Sequence, residues 1–170
     1  MAIYEINGNL ADVRSGIKNY NIFSSVVYEI YRYFELHLAG KLSYKYDLYI
    51  DNATKDSGYT PVTTPVFGKF VIIKLCIGEC DGKEKVAYQF AHELMHYVFY
   101  EKYGLNKVLA DENEEMICSA ASLIILYHLY SEYFEKYNDY TKFLIREGYR
   151  RGVEIAKGVG YDFSLLLEMV

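Results

Sequence analysis

Apolar and polar positions alternate over short stretches in the first half of the chain and recur at helical spacing over most of the second. "AIYEI", running into Asn7-Gly8, reads as a short strand closed by a turn. From Asn21 to Leu38, the residues Ile22, Val26, Ile30, Tyr33 and Phe34 share one helical face, and Gly40 follows as a stop signal. His37 falls in the last turn, where a cation suits the helix dipole, and is read as structural. "LSYKYDLYI" alternates and predicts a strand. The segment from Asp51 to Pro65 is rich in turn formers and predicts a loop. "VFGKFVIIKLCI", from Val66 to Ile77, has the densest run of β-branched residues and predicts the strongest strand.

Beyond Ile77 the pattern turns helical. Asp81 followed by Glu84 reads as an N-cap with its capping-box partner, opening a helix from Gly82 to Tyr103 that stops at Gly104. After the loop "LNKVLA", Asp111 reads as a second N-cap for one long helix from Glu112 to Tyr137. Asn138 or Asp139 is expected to cap a further helix to about Lys157, with Gly158 and Gly160 breaking the chain. "DFSLLLEM" predicts a last short helix docked by its leucines. Strands and helices are segregated along the chain, which predicts a single α+β domain over residues 1–170.

Composition narrows the partners. A net charge of −5 argues against a nucleic-acid surface, because a phosphate backbone wants a basic face. Arg146, Arg150, Arg151 and Lys157 fall at helical spacing and are expected to form a solvated face. The N-terminal residues carry no basic leader or cleavage pattern, and the most apolar run, Ala120 to Leu126, is too short to cross a bilayer. Cys76, Cys80 and Cys118 are an odd set and are expected to stay reduced, as in a cytoplasmic protein. Twenty tyrosines and no tryptophan predict many half-buried rings with hydroxyls at the surface, so no one tyrosine stands out as catalytic.

The chemistry is concentrated in "QFAHELMHYVFY", Gln89 to Tyr100, an apolar helix that holds two histidines and a glutamate. His92 and His96 are four apart, so one helix face aims both imidazoles at one point, as two ligands of a tetrahedral zinc ion require. Glu93 is rotated about 100° from His92 and projects beside such an ion, as the general base for a zinc-activated water. A carboxylate in this apolar setting costs on the order of several kcal/mol unless it is paired or faces a polar cleft. Zinc then needs a third protein ligand. Phe99 and Lys102 stand where one extended form of the motif has glycine and histidine, and Glu101 faces away from the pair.

The cluster Asp111 to Glu115 is the expected source of that ligand, because it opens a helix able to fold back antiparallel after Gly104. Asp111 is read as the cap. Glu115 ranks first, with Glu114 and Glu112 as alternatives, since acids in a first helical turn also have a purely electrostatic reason to be there. Ser119, Ser122 and Ala91 are small enough to let the two helices approach. Cys76 and Cys80 are an alternative pair of thiolate ligands, though a strand-core cysteine and a loop thiol account for them. Tyr127, His128 and Tyr149 are candidates for stabilising an oxyanion, with His128 read as structural from its helical phase.

"HELMH" followed, after residues 97–114, by Glu115 resembles the gluzincin group of zinc metallopeptidases. Among small intracellular members it is most similar to ImmA/IrrE-like proteins, over roughly Tyr44 to Tyr127. "EMICSAASLI" keeps their glutamate but lacks the alanine, asparagine and phenylalanine of their Glu-Ala-Asn-x-Phe-Ala motif, and Gln89 stands where the wider consensus has valine or threonine. The resemblance implies a zincin-like fold with a small antiparallel or mixed sheet, and zinc held by His92, His96 and Glu115. It also implies peptide-bond hydrolysis with Glu93 as base, and an edge strand, expected within Phe67 to Ile77, that receives an extended peptide. The expected partners are a peptide or protein substrate and a protein regulator. The competing reading is a zinc-binding regulatory module with little or no protease activity.

Overall fold

The computed structural model describes residues 3–5, 20–39, 45–52, 60–78, 80–106 and 110–170. Its elements in chain order are β1 (Ile3–Glu5), α1 (Tyr20–Leu38), β2 (Asp47–Asn52), β3 (Val62–Val66), β4 (Phe70–Leu75), α2 (Lys83–Tyr103), α3 (Glu112–Leu129), α4 (Ser131–Lys142), α5 (Glu147–Gly158) and α6 (Phe163–Leu167). The expected Asn7-Gly8 turn and the Gly40 stop lie outside the described residues.

The four strands form one mixed sheet in the order β1-β2-β4-β3. β1 and β2 pair in parallel, β2 and β4 pair in parallel with Leu48 opposite Val71 and Ile50 opposite Ile73, and β3 runs antiparallel to β4 with Thr63 opposite Ile73. In β2 and β4 alternate residues are buried, so Leu48, Ile50, Val71, Ile73 and Leu75 face the core and their neighbours face outward. The helices follow as a separate layer, which makes the class α+β, as the segregation of the pattern predicts.

Several boundaries depart from the pattern reading. The predicted loop from Asp51 to Pro65 contains the end of β2 and all of β3 but its last residue, Val66. Pro61 and Pro65 argue against a strand, but a sheet edge tolerates proline because its outward N–H has no partner to lose. The predicted strand from Val66 to Ile77 is a hairpin turn followed by β4. Phe67 and Gly68 take positive φ of 53° and 65°, and Lys69 N–H donates to Val66 O at 3.2 Å. Asp81 does not cap α2. Gly82 holds the N-cap position, and the Asp81 carboxylate instead accepts from Gly78 N–H at 2.6 Å and from Lys85 Nζ at 2.5 Å. The helix predicted from Glu112 to Tyr137 is broken at Tyr130, whose φ of −140° turns the chain into α4. Neither Asn138 nor Asp139 caps the following helix; α4 runs through both to Lys142, and α5 starts only at Glu147.

Two side chains tie α2 to the sheet and to the segment that leads into β2. Gln89 pairs with both backbone groups of Cys76, accepting from N–H at 2.9 Å and donating to C=O at 3.3 Å, so its amide continues the ladder beyond β4. Glu101, 2% exposed, accepts from Lys45 N–H at 2.6 Å, Tyr46 N–H at 2.8 Å and the Tyr97 hydroxyl at 2.6 Å. That accounts for a buried acid without invoking chemistry. α3 packs on α2, where Ser122 Oγ donates to Tyr88 O at 2.7 Å. Ser119 is fully buried on the same helix. It meets α5, where a Cβ on Gly152 would come within 2.5 Å of Ser119 Cβ. On α6, Phe163, Leu166 and Leu167 are buried and Leu165 is not.

Candidate metal centre

α2 presents His92, Glu93 and His96 in its fully buried middle, and they are 6%, 4% and 8% exposed. α3 starts beside them. Its cap forms as the sequence predicts, with Asp111 Oδ1 accepting from Glu114 N–H at 2.9 Å. The positive end of the helix dipole therefore lies among Glu112, Glu114 and Glu115.

The two histidines meet through the same ring atom, with His92 Nε2 and His96 Nε2 3.2 Å apart. Glu115 Oε2 lies 3.2 Å from the first and 3.8 Å from the second. The opposite nitrogen of His96, Nδ1, is 2.7 Å from Glu114 Oε1, and Cys118 Sγ approaches it at 3.4 Å. Glu112 is exposed in the first turn and joins neither histidine.

His92, His96 and Cys118 offer ligand atoms that all lie within 4.8 Å of one another, and this buried cluster could hold a metal ion. Glu115 is the better third donor on geometry. The two nitrogens of an imidazole point in diverging directions, and Nδ1 of His96 is already engaged by Glu114. An ion held by both histidines through Nε2 would therefore find Glu115, rather than Cys118, as its third donor. Three donors placed tetrahedrally at about 2.0–2.1 Å from zinc stand roughly 3.3 Å apart, close to the separations found here. Glu114 would then be the outer carboxylate that fixes the tautomer of His96.

Electrostatics agree with the geometry. Burial works against a charged His96, but the hydrogen bond to Glu114 and the charges of Glu93 and Glu115 outweigh it and hold the pKa above the ordinary histidine value. Burial likewise opposes a charged Glu115, yet the hydrogen bond and charge of His92, the charge of His96 and a hydrogen bond from Tyr149 keep its carboxyl below the usual range.

Glu93, whose charge also acts on His96, reaches the sheet with its carboxylate. Its Oε2 accepts from the Thr63 hydroxyl on β3 at 2.7 Å, and that hydroxyl is also 2.9 Å from the Glu93 carbonyl oxygen. Opposite, α5 forms the wall. The Tyr149 ring stacks on His92 with centroids 5.2 Å apart and planes 17° off parallel, and burial, then the charges of Glu115 and Glu93, push its hydroxyl pKa up. Arg146, an exposed residue of the basic face, has its guanidinium 3.9 Å from Glu115 Oε1. Gly148 makes this wall tight, since a Cβ there would lie 3.0 Å from Glu115 Cβ.

Of the other sequence candidates, Tyr127 stacks on Tyr161, and His128 Nε2 sits 2.8 Å from Tyr161 O, so both belong to the α5–α6 junction. Cys76 is buried past the end of β4, where burial raises its thiol pKa, and Cys80 is exposed; neither joins the ligand cluster. The cluster's cysteine is Cys118, which spacing within "EMICSAAS" could have flagged, three residues after Glu115. Thr63 carries no sequence signal, because Pro61 and Pro65 give its segment the pattern of a loop. Among the described residues no helix is long and apolar enough to cross a membrane. Compared with protein-family models, with curated proteins and with solved structures, the chain matches none.

Proposed function

We propose that this chain is a zincin-like, zinc-dependent peptidase of the gluzincin type, in which His92, His96 and Glu115 hold the metal and Glu93 is the general base. The observation that carries the reading is the convergence of His92 Nε2, His96 Nε2 and Glu115 Oε2 within 3.2–3.8 Å of one another, beside a buried carboxylate on the next residue of the same helix. The donor set, two neutral imidazoles and one carboxylate, suits zinc with a fourth position left for chemistry. Zinc, when bound, supplies Lewis acidity toward water and a peptide carbonyl.

The remaining work falls to the chain's own groups. Glu93 takes a proton from the attacking water and delivers it to the departing amine. β3, an outer strand of the sheet, has an edge that is unpaired among the described residues and could receive an extended peptide. This moves the expected role from the segment Phe67 to Ile77, since β4 lies inside the sheet between β2 and β3. Tyr149 is the one oxyanion candidate that reaches the site. The expected setting is cytoplasmic, with a peptide or protein as substrate.

A second reading has its own support. The three key side chains of α2 are each under a tenth exposed, and Tyr149 covers His92. That closure suits a zinc-holding regulatory module, or a latent peptidase opened by a protein regulator. Comparing Glu93→Gln with the wild type separates these. The peptidase reading requires zinc in both proteins and cleavage slower by about 10²–10⁴ in the variant. Zinc in both with no cleavage by either favours the module. No zinc in either overturns both.

A further inference from the structure

We propose that Thr63 is a positioning residue for Glu93, fixing the base to the strand along which a peptide would lie. The inference rests on the reading of Glu93 as general base and adds what orients it.

Glu93 is 4% exposed, and among the described residues the only hydrogen bond to its carboxylate comes from Thr63. A buried carboxylate at the middle of an apolar helix needs such a donor. The Thr63 hydroxyl is within reach of two acceptors of the same residue, Oε2 at 2.7 Å and the main-chain oxygen at 2.9 Å. Its single proton, shared between the two in a three-centre bond, ties the Glu93 side chain back toward its own backbone and so restrains its rotamer. Threonine suits the task, because its branched Cβ limits χ1 and its methyl packs on a sheet face.

The strand's phase makes the contact more than local. Pro65 has no N–H, so in the antiparallel pair with β4 it takes the site whose backbone groups face away from the partner. Thr63 is two residues away and shares that phase. Its N–H and C=O therefore face the outer edge of the sheet, unpaired among the described residues, while its side chain holds Glu93. A peptide added to that edge would hydrogen-bond the backbone of the residue whose hydroxyl aims the base. Substrate register and base orientation are thus set by one residue, which is the preorganisation that hydrolysis of a bound peptide needs.

The test compares wild type, Thr63→Val and Thr63→Ser, each loaded with zinc, on a quenched-fluorescent pool of randomised peptides, together with crystal structures of all three. Valine keeps the shape and β propensity and removes the donor; serine restores it. The expected result is a fall in kcat on the order of 100-fold for valine, with KM, zinc affinity and melting temperature little changed, and recovery to within about threefold for serine. In the crystals Glu93 Oε2 should leave its place in the valine variant and regain it in the serine one. Unchanged kcat in Thr63→Val, or Glu93 in the same place in all three structures, overturns the proposal. If wild type neither binds zinc nor cleaves the pool, the peptidase reading fails by itself, and the position of Glu93 in the variants still decides whether Thr63 orients it.

Discussion

Glu114 Oε1 and His96 Nδ1 lie 2.7 Å apart, and this contact decides which way the imidazole faces. With Nδ1 held by one carboxylate, Nε2 points at His92 and at the neighbouring carboxylate, Glu115. Adjacent acids on one helix thus divide two roles, one beside the proposed metal and one behind its ligand.

Glu114→Gln should weaken zinc binding by about 10- to 100-fold in a chelator competition, as loss of an outer carboxylate does elsewhere. Cys118→Ala should leave the affinity unchanged, because the thiol lies on the Nδ1 side of His96. The reverse ranking of the two variants would make Cys118 the ligand.

Gly152→Ala should destabilise the fold by about 1–3 kcal/mol in urea titrations. A methyl there would meet Ser119 Cβ at 2.5 Å and the backbone at Ala120 N and Met116 O at 3.0 Å, so α5 must move off α3. Tyr149, one turn earlier on α5, would then lose its stacking on His92. A neutral substitution would mean that α5 is not seated as described.

Glu101→Ala should cost about 1–3 kcal/mol of stability, since it takes the acceptor from two backbone N–H groups, while the Tyr97 hydroxyl keeps Tyr46 O as a partner at 2.7 Å. Zinc stoichiometry should be untouched, which separates this acid from those at the metal centre.

The buried tyrosines predict an alkaline limit. Burial, only partly offset by the hydrogen bond to Thr141, pushes the Tyr88 hydroxyl from 10.0 up to about 12. Tyrosine is neutral when protonated, so the folded state holds its proton more tightly than the unfolded one. The associated stability is complete below pH 10 and is lost as pH rises toward 12, to the extent of roughly 3 kcal/mol for a shift of two units. Tyrosinate absorbance followed with far-UV circular dichroism should show this ring ionising together with unfolding. Ionisation near pH 10 with the fold intact would contradict the packing around Tyr88.

The part of the site that sits on one helix was legible in the sequence, because a four-residue spacing fixes the relation of His92 to His96 whatever surrounds it. Glu115 was reachable because Asp111 caps α3 as its chemistry suggests, which sets the helix phase. The partners that come from tertiary packing were not legible. Thr63 was hidden by Pro61 and Pro65, which mark a loop unless the strand is known to lie at an edge. Tyr149 reaches His92 only because two glycines bring α5 against α3. The break at Tyr130 has no proline or glycine to announce it; the ring is buried, its hydroxyl donates to Glu29 on α1, and Lys83 lies 5.3 Å over its face. Packing of this kind overrides a helical pattern that is locally unbroken.

The most direct test of the central claim is the zinc K-edge absorption spectrum of protein purified without chelators and reconstituted with one equivalent of zinc. The account predicts a first shell of nitrogen and oxygen at about 2.0–2.1 Å, with imidazole scattering from two histidines and no sulfur. A sulfur shell near 2.3 Å would replace Glu115 with Cys118, and failure to take up zinc at all would remove the metal centre on which the proposed function stands.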